Sequence, residues 1–298
     1  MKRKNRTNGA APLSPDWGRI RAFCARFWRM FSPYGRIGWA VLLLIFLMGG
    51  ASLLFSGDSY SVPSGASLEA PGPAHPLGTD DLGIDILAQL GRGAVISLAV
   101  GLSSALLAGL GGGVAGMMAG YAGGKADRLI CGLCDIVSVM PQLPLMIVLG
   151  AFFGPSVKNI ILVITLLSWA GPARIARSKT LSLRRETYIT AARSYGASFF
   201  HILKKHLLPG LFPVLMVSAL RIIGHAVVAE ASLTFLGLGD PTSKSWGVIL
   251  NRAMGFPGIY YTPFWTWWIL PPLAALTLLV LSVSWIGRDL ERTANRKL

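Results

Sequence analysis

Six apolar runs divide the chain, and polar segments separate them. The first run, residues 37–57, carries no charged side chain. At 1.5 Å per residue a helix of this length spans roughly 30 Å, the thickness of the hydrocarbon core of a bilayer. The runs predicted to cross the membrane are 37–57, 94–121, 129–153, 160–172, 211–238 and 264–286, with a kink in the third at Pro141 or Pro144. The pattern therefore predicts an all-α membrane protein with six transmembrane helices.

The polar segments give the chain its predicted organisation. Aromatic and aliphatic residues recur at three- and four-residue steps among the arginines of the N-terminal segment, which indicates an amphipathic helix along the membrane surface. The segment after the first run is rich in proline, glycine and acidic residues. The predicted units are a cytoplasmic N-terminal tail, 1–36, a first transmembrane helix, 37–57, an extracytoplasmic loop, 58–93, a transmembrane core, 94–290, with a cytoplasmic loop at 173–210, and a cytoplasmic tail, 291–298.

The net charge of +15 first suggests a nucleic-acid partner, because a basic surface attracts phosphate. The composition argues against that interpretation. Hydrophobic residues make up 53% of the chain and charged residues only 14%, whereas a soluble protein has about 25% charged residues. The lysines and arginines cluster in alternate polar segments, which is the positive-inside pattern of a membrane protein. We therefore expect a lipid bilayer as the surroundings, no nucleic acid, and both termini in the cytoplasm.

The segment 190–209 is a basic, polar island between two apolar runs. Apolar side chains recur in and beside it at helical spacing, at Ile189, Ala192, Tyr195, Phe199 and Ile202. Gly196 permits a bend between two short helices, and Pro209 suits the first turn of the helix that follows. The sequence thus predicts a bent amphipathic hairpin on the cytoplasmic side, which is a docking surface for another protein.

Two motifs of other protein classes occur in the chain, and each lacks its structural context. Cys131 and Cys134 form a CxxC inside an apolar run with no second pair, so we interpret them as small residues one helical turn apart and expect no metal site. The glycines between 111 and 116 match a dinucleotide-binding fingerprint, but no strand pattern precedes them. The four-residue spacing of glycines instead predicts close packing of two helices, at Gly112, Gly116, Gly120 and Gly124.

Three tracts resemble those of a known family. In the basic island the positions that match the EAA loop of bacterial ABC-importer permeases are Ala191, Ala192, Gly196, Leu207, Leu208 and Pro209. Thr190 stands where that family usually has glutamate. The tract 75–85 resembles the family's "HPLGTDxxGRD", with Ile84 in place of arginine, and the tracts 230–239 and 245–247 resemble its "EASLSFLGLG" and "SWG". The chain therefore resembles the second-type permease subunit of dipeptide, oligopeptide and nickel ABC importers.

This resemblance implies a type I ABC importer permease fold in the cytoplasmic (inner) membrane of a bacterium or archaeon. It also implies the partners, which are a second homologous permease subunit, two ABC ATPase subunits and an extracytoplasmic solute-binding protein. The ATPase subunits would bind ATP and Mg²⁺ and would contact the EAA-like loop, whereas this chain would hold no cofactor and catalyse no reaction. Di- and oligopeptides are the expected substrates, and nickel or a metal chelate is the alternative.

The fifth apolar run contains three ionisable residues, Arg221, His225 and Glu230, and such residues within a membrane span are candidates for function. We expect them to line the passage, where Arg221 would favour an anionic group such as a peptide carboxylate. Two alternatives stay open, namely that Arg221 reaches the cytoplasmic headgroups and that Glu230 lies near the far interface. A membrane-embedded enzyme is the alternative of a different class. His225 and Glu230 point roughly 140° apart on a helix, which places them poorly for metal binding.

Overall fold

The structure is a computed structural model that describes residues 31–55, 57 and 59–295. The first half of the chain contains α1 (Pro33–Phe55), α2 (Ile86–Ala122), α3 (Gly124–Val139), α4 (Gln142–Phe153), α5 (Val157–Ser168) and α6 (Ala170–Leu183). The second half contains α7 (Thr187–Ser194), α8 (Phe199–Ile202), a π-helical turn (Leu203–Leu207), α9 (Leu208–Phe235), α10 (Trp246–Gly255), a 3₁₀ turn (Ile259–Tyr261), α11 (Trp265–Trp268) and α12 (Leu270–Asn295). The amphipathic helix predicted for the N-terminal tail lies almost wholly outside the described residues.

Five helical segments among the described residues are long and apolar enough to cross a membrane, and α3 with α4 makes a sixth if the pair is one broken span. This finding confirms the predicted all-α membrane fold. The two helices of the broken span are bent by 93°, which is much sharper than the predicted kink. The break falls at Pro141 because proline has no backbone N–H and holds the residue before it in an extended conformation, here φ −69° and ψ 136° at Met140.

The second span begins earlier than the apolar pattern indicates. α2 starts at Ile86, because the side chain of Asp85 accepts a hydrogen bond from the backbone N–H of Ala88 and caps the helix. The charged Arg92 lies within α2 and places its guanidinium over the ring of Tyr60. The loop predicted at 58–93 is therefore too long by its last eight residues.

The predicted cytoplasmic loop 173–210 is also too long at its start. α5 and α6 form one candidate span that continues through Leu183, so residues 173–183 are helical. Ala173, Ala176 and Thr180 of this helix are buried. The packing of this helix against its neighbours thus continues beyond residue 172, where the apolar run ends and the loop was predicted to begin.

The glycines of α2 explain this packing. A Cβ atom built on Gly112, Gly116 and Gly120 would lie 2.3, 2.0 and 2.8 Å, respectively, from backbone oxygens of residues 169–177. Any side chain larger than hydrogen would therefore force the two helices apart. The predicted close packing is confirmed for these three positions, which we call the glycine seam. Gly124 is not part of it, since it follows the end of α2 with φ +60°.

The main hydrophobic core joins α1, α2, α9, α10 and α12. Trp246, the first residue of α10, is fully buried, and its indole Nε1–H donates to the backbone oxygen of Leu90 at 2.9 Å. Gly93 makes room for this ring, because a Cβ atom there would lie 2.5 Å from Cδ1 of Trp246. α10 is thereby fixed against the first turns of α2.

Candidate functional site

Residues 184–207 form a bent connection between α6 and α9, which we call the coupling hairpin. Gly196 takes a left-handed conformation with φ +79° two residues after the end of α7. The backbone N–H groups of Gly196 and Ala197 donate to the carbonyl oxygens of Arg193 and Ala192, both at 3.0 Å, and so close the helix end. The predicted pair of short helices with a bend at Gly196 is confirmed.

Apolar side chains hold the coupling hairpin against α2 and α6. Ile189, Ile202 and Leu207 are at most 1% exposed, and they pack in one cluster with Met117 and Ala176. Two of these residues, Ile189 and Ile202, belong to the stripe that the helical spacing predicts. The hairpin is therefore an anchored element rather than a free loop.

The residues that match the EAA loop lie along this anchored element. Thr190 is exposed, and its hydroxyl donates to the backbone oxygen of Glu186 at 3.2 Å. Because this side chain is neutral, the position makes no ionic contact of the kind that a glutamate would make. Ala191 and Ala192 are half-buried on α7. Pro209 lies in the first turn of α9, as predicted.

Tyr195, which the helical spacing groups with Ile189 and Ile202, lies on the outside of the hairpin instead of packing with them. α7 ends before it, and the residue leaves the helical register. Its side chain is 90% exposed, and that of Phe200 is 76% exposed. Lys204 and Lys205 border the same surface hollow as Phe200. Exposed aromatic side chains are typical of a protein-binding surface.

Contacts that the sequence did not reveal join the hairpin to the end of α2. Nη1 of Arg184 donates to the backbone oxygen of Tyr121 at 3.0 Å, and the guanidinium of Arg193 lies 5.1 Å from the centre of the Tyr121 ring. Nearby, Nη2 of Arg177 on α6 donates to Oδ2 of Asp127 on α3 at 2.7 Å. A displaced hairpin would therefore carry the ends of α2, α3 and α6 with it.

Arg221 and His225 lie together on an exposed side of α9. They line a cavity of about 390 Å³ between α3, α4, α6 and α9, which we call the polar cavity and which Gln142 and Ser218 also line. Nη2 of Arg221 lies 2.5 Å from Oε1 of Glu291 on α12. The Glu291 carboxylate offsets the positive charge that the sequence predicts for this face.

Glu230 lies inside the chain, so its prediction as a passage-lining residue was wrong. The residue is only 1% exposed, and its Oε2 accepts a hydrogen bond from the hydroxyl of Ser97 on α2 at 3.2 Å. Nine positions separate Glu230 from Arg221, and at about 100° per residue the two side chains leave α9 on opposite sides. Glu230 thus joins α9 to α2 instead of facing the polar cavity.

Comparison with known proteins decides what this arrangement is. The family described as "binding-protein-dependent transport system inner membrane component" matches residues 112–295, which include the glycine seam, the coupling hairpin and all of α9. The chain belongs to this family. It is a permease subunit of an ABC importer in the inner membrane, as the sequence predicted, and thus a transport component rather than an enzyme.

Relatives of this permease match over most of their length. The glutathione transport system permease protein GsiD of Pectobacterium atrosepticum is 36% identical over 284 residues, which cover 94% of this chain and 93% of the relative. GsiD of Escherichia coli is 35% identical over 262 residues, with 85% and 84% covered. The dipeptide transport system permease protein DppC of Bacillus subtilis is 33% identical over 263 residues, with 88% and 81% covered.

The loop before α2 is organised by a carboxylate of this permease. The side chain of Asp80 accepts hydrogen bonds from the backbone N–H groups of Leu82 and Ile84, both at 2.9 Å, and from the side-chain amide of Gln89 at 2.8 Å. Asp80 therefore shapes the turn within the tract 75–85. Within the described ranges, no three side chains of His, Cys, Asp or Glu gather as a metal ion would require.

A second pair ties the same loop to the start of α2. Nδ1 of His75 lies 2.8 Å from Oδ2 of Asp85, while Oδ1 of Asp85 accepts from the backbone N–H of Ala88. The hydrogen bond to the Asp85 carboxylate favours the charged imidazolium, so it raises the pKa of His75 above the usual 6.5. The loop and the helix cap are thus joined by a titratable contact.

The His75 contact predicts a pH-dependent stability. A histidine whose pKa is raised in the folded state stabilises that state fully below about pH 6.5, and this contribution is lost as the pH rises through the raised pKa. We expect His75→Gln to lower the unfolding temperature of the purified permease at pH 6 and to lower it less at pH 8. The control is His201→Gln, which removes an exposed histidine of the coupling hairpin. A difference between wild type and His75→Gln that is the same at both pH values would contradict the prediction.

Proposed function

We propose that this permease carries short peptides into the cell, as one of two homologous permease subunits that two ABC ATPase subunits drive. Its relatives are named for glutathione and dipeptide transport, and glutathione is itself a tripeptide. These names support peptides as the substrate class. An extracytoplasmic solute-binding protein delivers the peptide to the end of the bundle that carries the loop before α2.

The coupling hairpin is the observation that carries the proposal. It exposes Tyr195 and Phe200 on either side of the bend at Gly196, and its buried side chains fix it to α2 and α6. The ATPase subunits bind this surface and hold ATP and Mg²⁺, whereas the permease holds no cofactor. When the ATPase subunits close, they displace the hairpin, and α2 and α6 move with it because the glycine seam joins them. The hairpin and both termini face the cytoplasm.

The peptide crosses through the polar cavity, which opens between α3, α4, α6 and α9. Arg221 and His225 line this cavity, and the carboxylate of Glu291 pairs with Arg221 beside it. Charges of both signs thus lie close together at the edge of this cavity. A zwitterionic peptide can pair its carboxylate with Arg221 and its ammonium group with Glu291, whereas the arginine would repel a bare divalent cation.

Uptake assays test this function. The permease, its partner subunits and its binding protein are reconstituted in proteoliposomes and supplied with labelled dipeptides, glutathione or Ni²⁺. ATP-dependent uptake of a peptide supports the proposal. Uptake of Ni²⁺ without any peptide would establish the metal alternative, and peptide uptake that needs no ATP would contradict coupling to ATPase subunits.

The ATPase contact predicts a strong effect of one exposed side chain. Tyr195→Ala should reduce the affinity of the permease for the ATPase subunits by about tenfold or more, as expected for an aromatic residue at the centre of an interface. The tyrosine is 90% exposed, so its loss leaves the fold of the permease intact. Tyr261→Ala is the matched control, because Tyr261 is 95% exposed and follows the far end of α9. Equal recovery of the ATPase subunits with both variants would place the contact elsewhere.

A further inference from the structure

A long groove runs between α9 and α12, on the α12 side of Arg221, and it shares Arg221 and His225 with the polar cavity. Two cavities of about 480 and 630 Å³ form the groove, and Val228 and Val280 line both of them. On α9 the groove extends from Arg221 to Phe235, which at 1.5 Å per residue is about 21 Å. This length corresponds to half of the roughly 30 Å hydrocarbon core of a bilayer plus a lipid headgroup.

Most of this groove presents hydrocarbon. The hydroxyls of Ser232 and Thr277 in its wall donate to the backbone oxygens of Val228 and Leu273 within their own helices, both at 2.8 Å. The remaining wall is built mainly from large apolar side chains, including Phe235, Leu236, Leu276 and Leu281. Such a wall offers no partner to the polar backbone of a peptide, and it favours an acyl chain.

The opposite end of the groove is cationic. Arg221, Arg288 and Glu291 lie together there, and Ser284 adds a hydroxyl. Glu291 is paired with Arg221, whereas Arg288 forms no hydrogen bond or ion pair with another residue of the described ranges. One guanidinium charge therefore remains for a ligand. The planar fork of N–H donors on arginine matches the oxygens of a phosphate group.

The cationic end lies at the same end of the bundle as the coupling hairpin. α12 runs antiparallel to α9, so its last turns lie toward the start of α9, which follows the hairpin. Arg288 lies about 27 Å after the start of α12, which is close to the roughly 30 Å thickness of the hydrocarbon core and places it near the membrane surface. Basic pockets between transmembrane helices at this level bind anionic lipid headgroups. We propose that the groove binds an anionic phospholipid, with one acyl chain along the apolar wall and the phosphate at Arg288.

Lipid retention by the purified transporter complex tests this site. The complex is exchanged into phosphatidylcholine nanodiscs that contain a small fraction of phosphatidylglycerol, and the phosphatidylglycerol that remains bound is measured by native mass spectrometry. Arg288→Gln should lower this retention by about tenfold, because a charge-assisted contact is lost. Val280→Trp should lower it without any change of charge, because the indole fills the groove. Arg292→Gln, which removes an exposed arginine one turn later on α12, should retain the lipid as the wild type does.

Two results would overturn the proposal. One is equal retention of phosphatidylglycerol by the wild type, Arg288→Gln and Val280→Trp. The other comes from a photoreactive group attached to Ser284→Cys, with the native cysteines replaced by serine. If this group cross-links to the partner permease subunit instead of to lipid, the groove is part of the subunit interface. Neither result bears on peptide uptake, so the lipid site and the transport function are tested independently.

Discussion

The Gly116→Ala variant is expected to unfold at least about 5 °C below the wild-type permease and to accumulate in the membrane in much smaller amounts. The added Cβ atom would lie 2.0 Å from the backbone oxygen of Ala173 and 2.8 Å from its carbonyl carbon. These are backbone atoms of a helix, so no side-chain rotation relieves the clash. α2 and α6 must move apart, and the coupling hairpin loses the pair of helices on which it rests. The unfolding temperature of the detergent-purified permease measures the effect.

Gly111→Ala is the matched control for this change. It adds the same methyl group to the same helix, but no heavy atom lies within 4 Å of its Cβ position. Since alanine favours a helix over glycine by about 1 kcal/mol, the control should be as stable as the wild type or slightly more so. If Gly111→Ala and Gly116→Ala unfold at the same temperature, the helices are not in backbone contact at the seam.

The sequence predicts the spans well because their determinants are local. An apolar run must lie in a membrane, and a glycine every fourth residue shows that something approaches one face of α2. The spacing does not show which helix approaches, and the structure identifies α6. The helix boundaries were less predictable, because they depend on contacts made after folding. The cap at Asp85 and the ring of Tyr60 under Arg92 allow α2 to begin before its apolar run.

The candidate site could be predicted only where the chain itself sets the geometry. The bend at Gly196 follows from one residue and its neighbours. The pairing of Arg221 with Glu291 joins residues 70 positions apart, and nothing local to either indicates the other. Glu230 is a different case, because helical periodicity alone places it opposite Arg221 on α9. The burial of Glu230 could therefore have been predicted from the sequence, whereas the pairing of Arg221 with the Glu291 carboxylate could not.

The Gly196→Val variant is expected to insert normally and to lose about tenfold or more of ATP-dependent uptake. Gly196 has φ +79°, a conformation that costs an L-amino acid about 1–2 kcal/mol and a β-branched one more. No heavy atom lies within 4 Å of its Cβ position, so the substitution tests the backbone conformation and not a clash. Valine would shift the bend toward other conformations and turn the exposed Tyr195 and Phe200 away from the ATPase subunits. Uptake and stimulated ATP hydrolysis in the same proteoliposomes measure the loss.

Gly196→Asn separates conformation from bulk at this bend. Asparagine has nearly the volume of valine, but it adopts left-handed backbone conformations far more readily. We therefore expect the asparagine variant to keep most of the uptake that the valine variant loses. If both variants are equally impaired, a side chain at position 196 obstructs the ATPase contact directly. If the valine variant transports like the wild type, the bend at Gly196 does not transmit the movement of the ATPase subunits. Another part of the hairpin must then transmit it.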